Sequence, residues 1–291
     1  MPHKRLIATL IVKDGWIVQS IGFERFQPLG RPEIAARFLD CWGIDEIVVL
    51  DIDASRERRL IDPKMIERIS ANCFVPVTAG GGIGAVADVR TLLSAGADKV
   101  CINRTALTDP VMLGDAATHF GQQCIMVSID ARPIGPATYR VYGDNGSRRY
   151  ELSPAVHAQS AAHAGAGEIL LTAVNRDGAK SGYDLILAHQ VADAVTVPVI
   201  IAGGAGRWEH IAQVLAIDAV SAAAAANFLH FTEHSVAIAK AMLKNQGIDV
   251  RLDAITDYAD ASTRRVNGRL DKEPDSKLLE QVFDYVPEET I

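Results

Sequence analysis

The chain nearly repeats itself at a fixed interval, and this constrains its fold more than any other property. Residues Gly43 to Asp53 read GIDEIVVLDID and Gly165 to Asn175 read GAGEILLTAVN; Val75 to Gly84 read VPVTAGGGIG and Val197 to Gly206 read VPVIIAGGAG. Both pairs are offset by 122 residues, from 43 to 165 and from 75 to 197, so one half-unit occurs twice. Each half alternates short β-branched runs with helix-length amphipathic segments, the mark of βαβ units and a parallel sheet. The predicted strands are Arg5–Val12, Glu46–Asp53, Val75–Ala79 and Lys99–Asn103, then Cys124–Asp130, Glu168–Val174, Val197–Ala202 and Val220–Ala225. Helices fit between them, for example over Pro32–Trp42 and Ala85–Ala95. Eight parallel strands in two equal halves close most simply as an α/β fold of the (β/α)8 TIM-barrel type over residues 1–252, leaving 253–291 as a C-terminal extension, helical near Ser276–Tyr285.

The competing architecture is a doubly wound open sheet, in which a glycine-rich turn after the first strand binds a dinucleotide. Here the glycine clusters follow the third and seventh strands instead, which suits a barrel whose site is built from the loops at the strands' C-terminal ends. Hydrophobic residues make up 48% and aromatics 6%, so the core is expected to be aliphatic, as in a parallel sheet covered by helices. A net charge of -7 argues against nucleic-acid or membrane partners. No apolar run reaches about 18 residues and no signal-peptide pattern opens the chain, so a soluble cytoplasmic protein is expected. Cys41, Cys73, Cys101 and Cys124 form no CxxC pair and are read as reduced core thiols. His157 and His163, and His230 and His234, lack the glutamate of a metalloprotease pattern; no metal and no cofactor are expected.

Gly80, Gly81 and Gly82 end the third strand, and Gly203, Gly204 and Gly206 follow the seventh. Glycine lets backbone N–H groups approach an anion, and a helix start just beyond adds positive potential. Tight βα turns would need glycine too, but two clusters at symmetric positions favour phosphate binding. Their partners are the turns carrying Asn103 with Arg104 and Ala226 with Asn227, so the ligand is expected to be a small molecule with a phosphate at each end. Asp51, Asp53, Asp130, Asp177 and Asp184 gather at the same face. Asp53 and Asp177 suit either N-capping or acid–base chemistry, whereas Asp130, ending the apolar run VSID, is placed for chemistry. At the other end, Arg5, Glu46, Lys99 and Glu168 start strands one, two, four and six, alternating in charge so that each ion has a partner.

The segments VKDG (Val12–Gly15), VLDIDAS (Val49–Ser55), GGGI (Gly80–Ile83), GADKVCIN (Gly96–Asn103), GAGEILLTAVNRD (Gly165–Asp177), SGYD (Ser181–Asp184) and GGAG (Gly203–Gly206) resemble the cyclase subunit family of imidazole glycerol phosphate synthase, from about Arg5 to Leu252. The resemblance implies a glutaminase partner on the barrel's N-terminal face, whose ammonia enters through a four-charge gate, here Arg5, Glu46, Lys99 and Glu168. It also implies a docking role for Asp98 and ligand contacts from Asp177 and Gly178 beside the glycine turns. Of the family's acid–base pair of aspartates, this chain keeps Asp130 but has Ile11 at the first position. Gln19 replaces a loop lysine, and the family's DRDGT reads Asn175-Arg176-Asp177-Gly178-Ala179.

These departures are similar to a paralogous branch, the glycosyl amidation-associated proteins of surface-polysaccharide biosynthesis. In that branch ammonia passes to a separate sugar amidotransferase that amidinates an acetamido sugar. The expectation is therefore a conduit subunit of such a complex, with two alternatives: a cyclase of histidine biosynthesis that tolerates the loss of one aspartate, or a barrel isomerase that needs no ammonia.

Overall fold

The computed structural model describes residues 3–230 and 234–252, together with the backbone of two short paired strands, Arg265–Val266 and Arg269–Leu270. The helix expected near Ser276–Tyr285 lies outside the described residues.

Eight parallel strands form the barrel: β1 (Arg5–Lys13), β2 (Glu46–Asp51), β3 (Val77–Gly80), β4 (Lys99–Ile102), β5 (Ile125–Gly135), β6 (Glu168–Ala173), β7 (Val199–Ala202) and β8 (Val220–Ala225). Each pairs with the next, and β8 returns to β1 through Arg5↔Ala222 to Ala8↔Ala225, so the sheet closes on itself and has no edge. The period-2 alternation of the strands sorts the core into two parts. Leu6, Ala8, Leu10, Ile47 and Val49 pack outward in the large cluster that includes the helices' buried faces, whereas Ile7, Val48, Cys101, Met126, Leu170 and Ile200 form a separate inner cluster.

The helices start where local chemistry allows. Pro occupies the first turn of Pro32–Cys41, Pro63–Ser70, Pro110–Phe120 and Pro154–His163, where its missing N–H is not needed. Asp62, Asp109 and Ser153 accept hydrogen bonds from the first-turn amides of the last three. Ahead of Val86–Ser94, the Asp88 carboxylate accepts from the Gly84 and Ala85 amides at 2.9 Å each.

The predicted elements are present with shifted ends. The second strand stops at Asp51 rather than Asp53 because the Asp51 carboxylate accepts from the Asp53 and Ala54 amides and turns the chain. The third and seventh strands begin two residues later than predicted, at Val77 and Val199, beyond Pro76 and Pro198, which cannot donate to the ladder. Two hairpins were not anticipated. After β1 the chain forms antiparallel strands Trp16–Ile21 and Arg25–Gly30, and β5 runs past Asp130 into a hairpin with Thr138–Gly143, which in turn pairs with Arg148–Arg149. Both rise from the strands' C-terminal end, over the mouth where the site lies.

Candidate functional site

The mouth of the barrel opens into one cavity. Asp130 and Ile11 line it together with Gly80, Gly81, Gly82, Asn103, Arg104, Asp177, Gly178, Gly203, Gly204, Ala226 and Asn227; of the expected anion-binding glycines, Gly206 stands outside the lining, packed against Lys180. Strand register explains how residues distant in sequence converge. Ile11 lies beside Leu50 and Asp130 beside Thr172, and Leu50 and Thr172 are one 122-residue repeat apart, so Ile11 and Asp130 sit on equivalent rungs of the two halves.

Asp130 accepts a hydrogen bond from the Asn103 amide at 3.2 Å, and the same Asn103 nitrogen donates to the Ser128 carbonyl at 3.1 Å. Burial pushes the Asp130 carboxyl up to about 7, opposed by the Asn103 bond and aided by the negative charge of Asp177. A carboxyl in that range can hold or release a proton near neutrality. Across the barrel, Ile11 has no atom that exchanges a proton.

The glycine turns are required by packing as well as suited to anions. A Cβ on Gly82 (φ 73°) would collide with the Arg59 carbonyl oxygen, and one on Gly204 (φ 111°) with the Gly182 carbonyl oxygen. Arg104 lies 3.6 Å from Asp144, on the hairpin above.

Asp177 and Asn227 hold the first hairpin down. The Ser20 hydroxyl donates to Asp177 at 2.6 Å, the Phe23 amide donates to the same carboxylate oxygen at 3.4 Å, and the Gly22 amide donates to the Asp177 carbonyl at 3.0 Å. Burial raises the Asp177 carboxyl, against these donors. The Asn227 side chain brackets Ser20, donating to its carbonyl at 2.6 Å and accepting from its amide at 3.3 Å. Gly178 permits the approach, since a Cβ there would lie 2.7 Å from the Ser20 carbonyl. The second hairpin reaches the opposite rim, where the Asn145 amide donates to the Ile52 carbonyl at 2.6 Å.

The remaining rim acids are engaged in structure. Asp51 is paired with Arg59, Asp53 with Lys13 at 3.0 Å and Arg56 at 2.9 Å. Asp184 caps the helix Leu185–Ala192 and accepts from the Tyr139 hydroxyl at 2.9 Å.

At the N-terminal end the four charges close into a ring. Arg5 reaches Glu46 and Glu168 at 2.8 Å each, and Lys99 reaches Glu46 at 2.9 Å and Glu168 at 2.6 Å. The Thr78 hydroxyl donates to Glu46 at 2.9 Å. Asp98 is exposed on the same face, and its carboxylate accepts from the Val77 amide at 2.8 Å, which satisfies the first donor of β3.

The cysteines Cys41, Cys73, Cys101 and Cys124 are free thiols, and burial pushes Cys73 to about 11 and Cys101 to about 12. The contributions of Ser20, Phe23 and Asn145 escaped the sequence reading because they sit on hairpins whose turns carry no helix or barrel-strand pattern. Among the described residues, no helix is long and apolar enough to cross a membrane.

Residues 5–235 match the family model described as "Histidine biosynthesis protein". Two relatives, each named "Imidazole glycerol phosphate synthase subunit HisF", come from Bacillus cereus strains ATCC 10987 / NRS 248 and G9842. They are 43% and 42% identical over 253 residues, covering 87% of this chain and 100% of each relative.

Proposed function

Because the chain belongs to the histidine biosynthesis protein family, as a HisF-like cyclase-subunit barrel, we propose that it takes up ammonia from a glutaminase docked on its N-terminal face and conducts it to the mouth, with little cyclase chemistry of its own. The product reaction on this reading is amidination of an acetamido sugar by a separate amidotransferase. One observation carries it: the charged ring is complete, while the rung that should hold the second carboxylate holds Ile11. Ring closure that needs proton transfer at two positions is poorly served by Asp130 alone, and losing one acid–base group costs about 100- to 10,000-fold in rate. The glycine turns with Arg104 and Asn227 are assigned to a phosphorylated small molecule, which Asp177 and Gly178 enclose by holding the first hairpin closed.

A second reading is favoured by the full-length identity to the two Bacillus cereus subunits: the chain is then itself a cyclase of histidine biosynthesis, working with Asp130 alone. Both readings require the glutaminase. Calorimetric titration of the chain with the glutaminase made by the same cell tests that shared step: one-to-one binding is expected, and no heat of binding at micromolar concentrations would overturn both.

A further inference from the structure

Thr9 and Ser128 place hydroxyls at equivalent points of the two half-barrels. Thr9 lies beside Val48 and Ser128 beside Leu170, and Val48 and Leu170 are one repeat apart. Each hydroxyl residue precedes Ile11 or Asp130 by two positions, so it sits one rung deeper on the same inward face. Both are 7% exposed and line the cavity. The Ser128 hydroxyl lies near enough to the Cys101 thiol to oppose the effect of burial on it, whereas the enclosed Thr9 hydroxyl has no hydrogen-bond partner among the described residues.

A buried hydroxyl without a protein partner is ordinarily satisfied by a small molecule held against it. Deeper in the barrel the interior is apolar, formed by Ile7, Val48, Met126, Leu170 and Ile200, and below that lie charges that neutralise one another. An ion crossing this stretch would lose its water with no counter-charge, so the occupant is neutral. A hydroxyl both donates and accepts, and the matching occupant does the same.

We propose that Thr9, with Ser128 across the barrel, forms a station for one small neutral hydrogen-bonding molecule, which in the working barrel is ammonia. This rests on the conduit reading. Ammonia leaves water at the ring, crosses the apolar stretch without strong partners, and regains a hydrogen bond at Thr9 one rung before Asp130. Water has the same chemistry and is the competing occupant.

Neutron diffraction separates the two, because nitrogen and oxygen scatter neutrons differently. Crystals of the full chain at alkaline pH, in ammonium chloride or in sodium chloride, should both have a peak within hydrogen-bond distance of Thr9 Oγ1, refining as nitrogen only in ammonium. Thr9→Val, which keeps the shape and removes the hydroxyl, should lose the peak, and Thr9→Ser should keep it. An empty position, or water under both conditions, would overturn the proposal. Occupancy is read without glutaminase or product. A barrel that holds ammonia here but delivers none would therefore sink the conduit reading and leave the station standing.

Discussion

The Ser20 hydroxyl donates to the Asp177 carboxylate at 2.6 Å, joining the hairpin after β1 to the turn after β6. With Asn227 gripping the Ser20 backbone on both sides, this contact sets how far the hairpin covers the mouth. Ser20→Ala removes one charge-assisted bond, worth about 1.5–3 kcal/mol. Hydrogen exchange of the amides between residues 16 and 30 should accelerate by at least tenfold while β-barrel amides stay protected. Unchanged exchange would mean that Asn227 and the Gly22 and Phe23 amides on Asp177 hold the hairpin without the Ser20 hydroxyl.

Glu46 is the most heavily engaged member of the ring, accepting from Arg5, Lys99 and Thr78 and only 2% exposed at its side chain. Glu46→Gln leaves two cations sharing one carboxylate in a partly buried site, so stability in urea should fall by about 3 kcal/mol. A loss under about 1 kcal/mol would mean that water screens the ring as it does a surface pair.

Asp98 serves the fold as well as any partner, through its bond from the Val77 amide. Asp98→Asn keeps an acceptor for that amide and removes only the charge, whereas Asp98→Lys removes both. Glutaminase affinity should fall by roughly tenfold for Asn and further for Lys, with on-rates losing their salt dependence. Equal affinity for all three proteins would move the docking face elsewhere.

Asp130 holds its proton up to about pH 7, above its ordinary 3.8. A folded state that binds a proton more tightly than the unfolded chain gains stability that is fully present below the unfolded value and lost as pH rises through about 7. Asp130→Asn is neutral throughout, so relative to the native chain it should gain stability between pH 4 and pH 8. The gain is up to about 4 kcal/mol, less where cavity solvent screens the charge. A difference independent of pH would return Asp130 to the ordinary carboxylate range.

The barrel was legible in the sequence because repetition and period-2 alternation specify it redundantly: Glu46 and Glu168 open matched strands in matched registers. The cavity residues were legible for the same reason, since strand ends converge once the barrel closes. What stayed hidden depended on contacts between distant loops. Nothing near Ser20 signals that it will meet Asp177 and Asn227, and Asp51 reads as a mouth acid until its bonds to the Asp53 and Ala54 amides tie it to its own turn. Thr9 looked like an ordinary strand residue, because the lack of a partner is a property of the packed interior.

On the conduit reading, the rung held by Ile11 carries no acid–base group while the charged ring below it is intact. Ammonia-dependent turnover of the histidine-pathway ribonucleotide substrate, measured for the native chain and for Ile11→Asp, decides between that reading and a working cyclase. Negligible turnover by the native chain and partial recovery in the variant are expected. Recovery would be limited because, on the resemblance drawn from the sequence, Gln19 and Ala179 still lack the loop contacts, and because the new carboxylate is half-buried beside Leu50. Robust turnover by the native chain would overturn the conduit role and make the protein a cyclase that works with Asp130 alone.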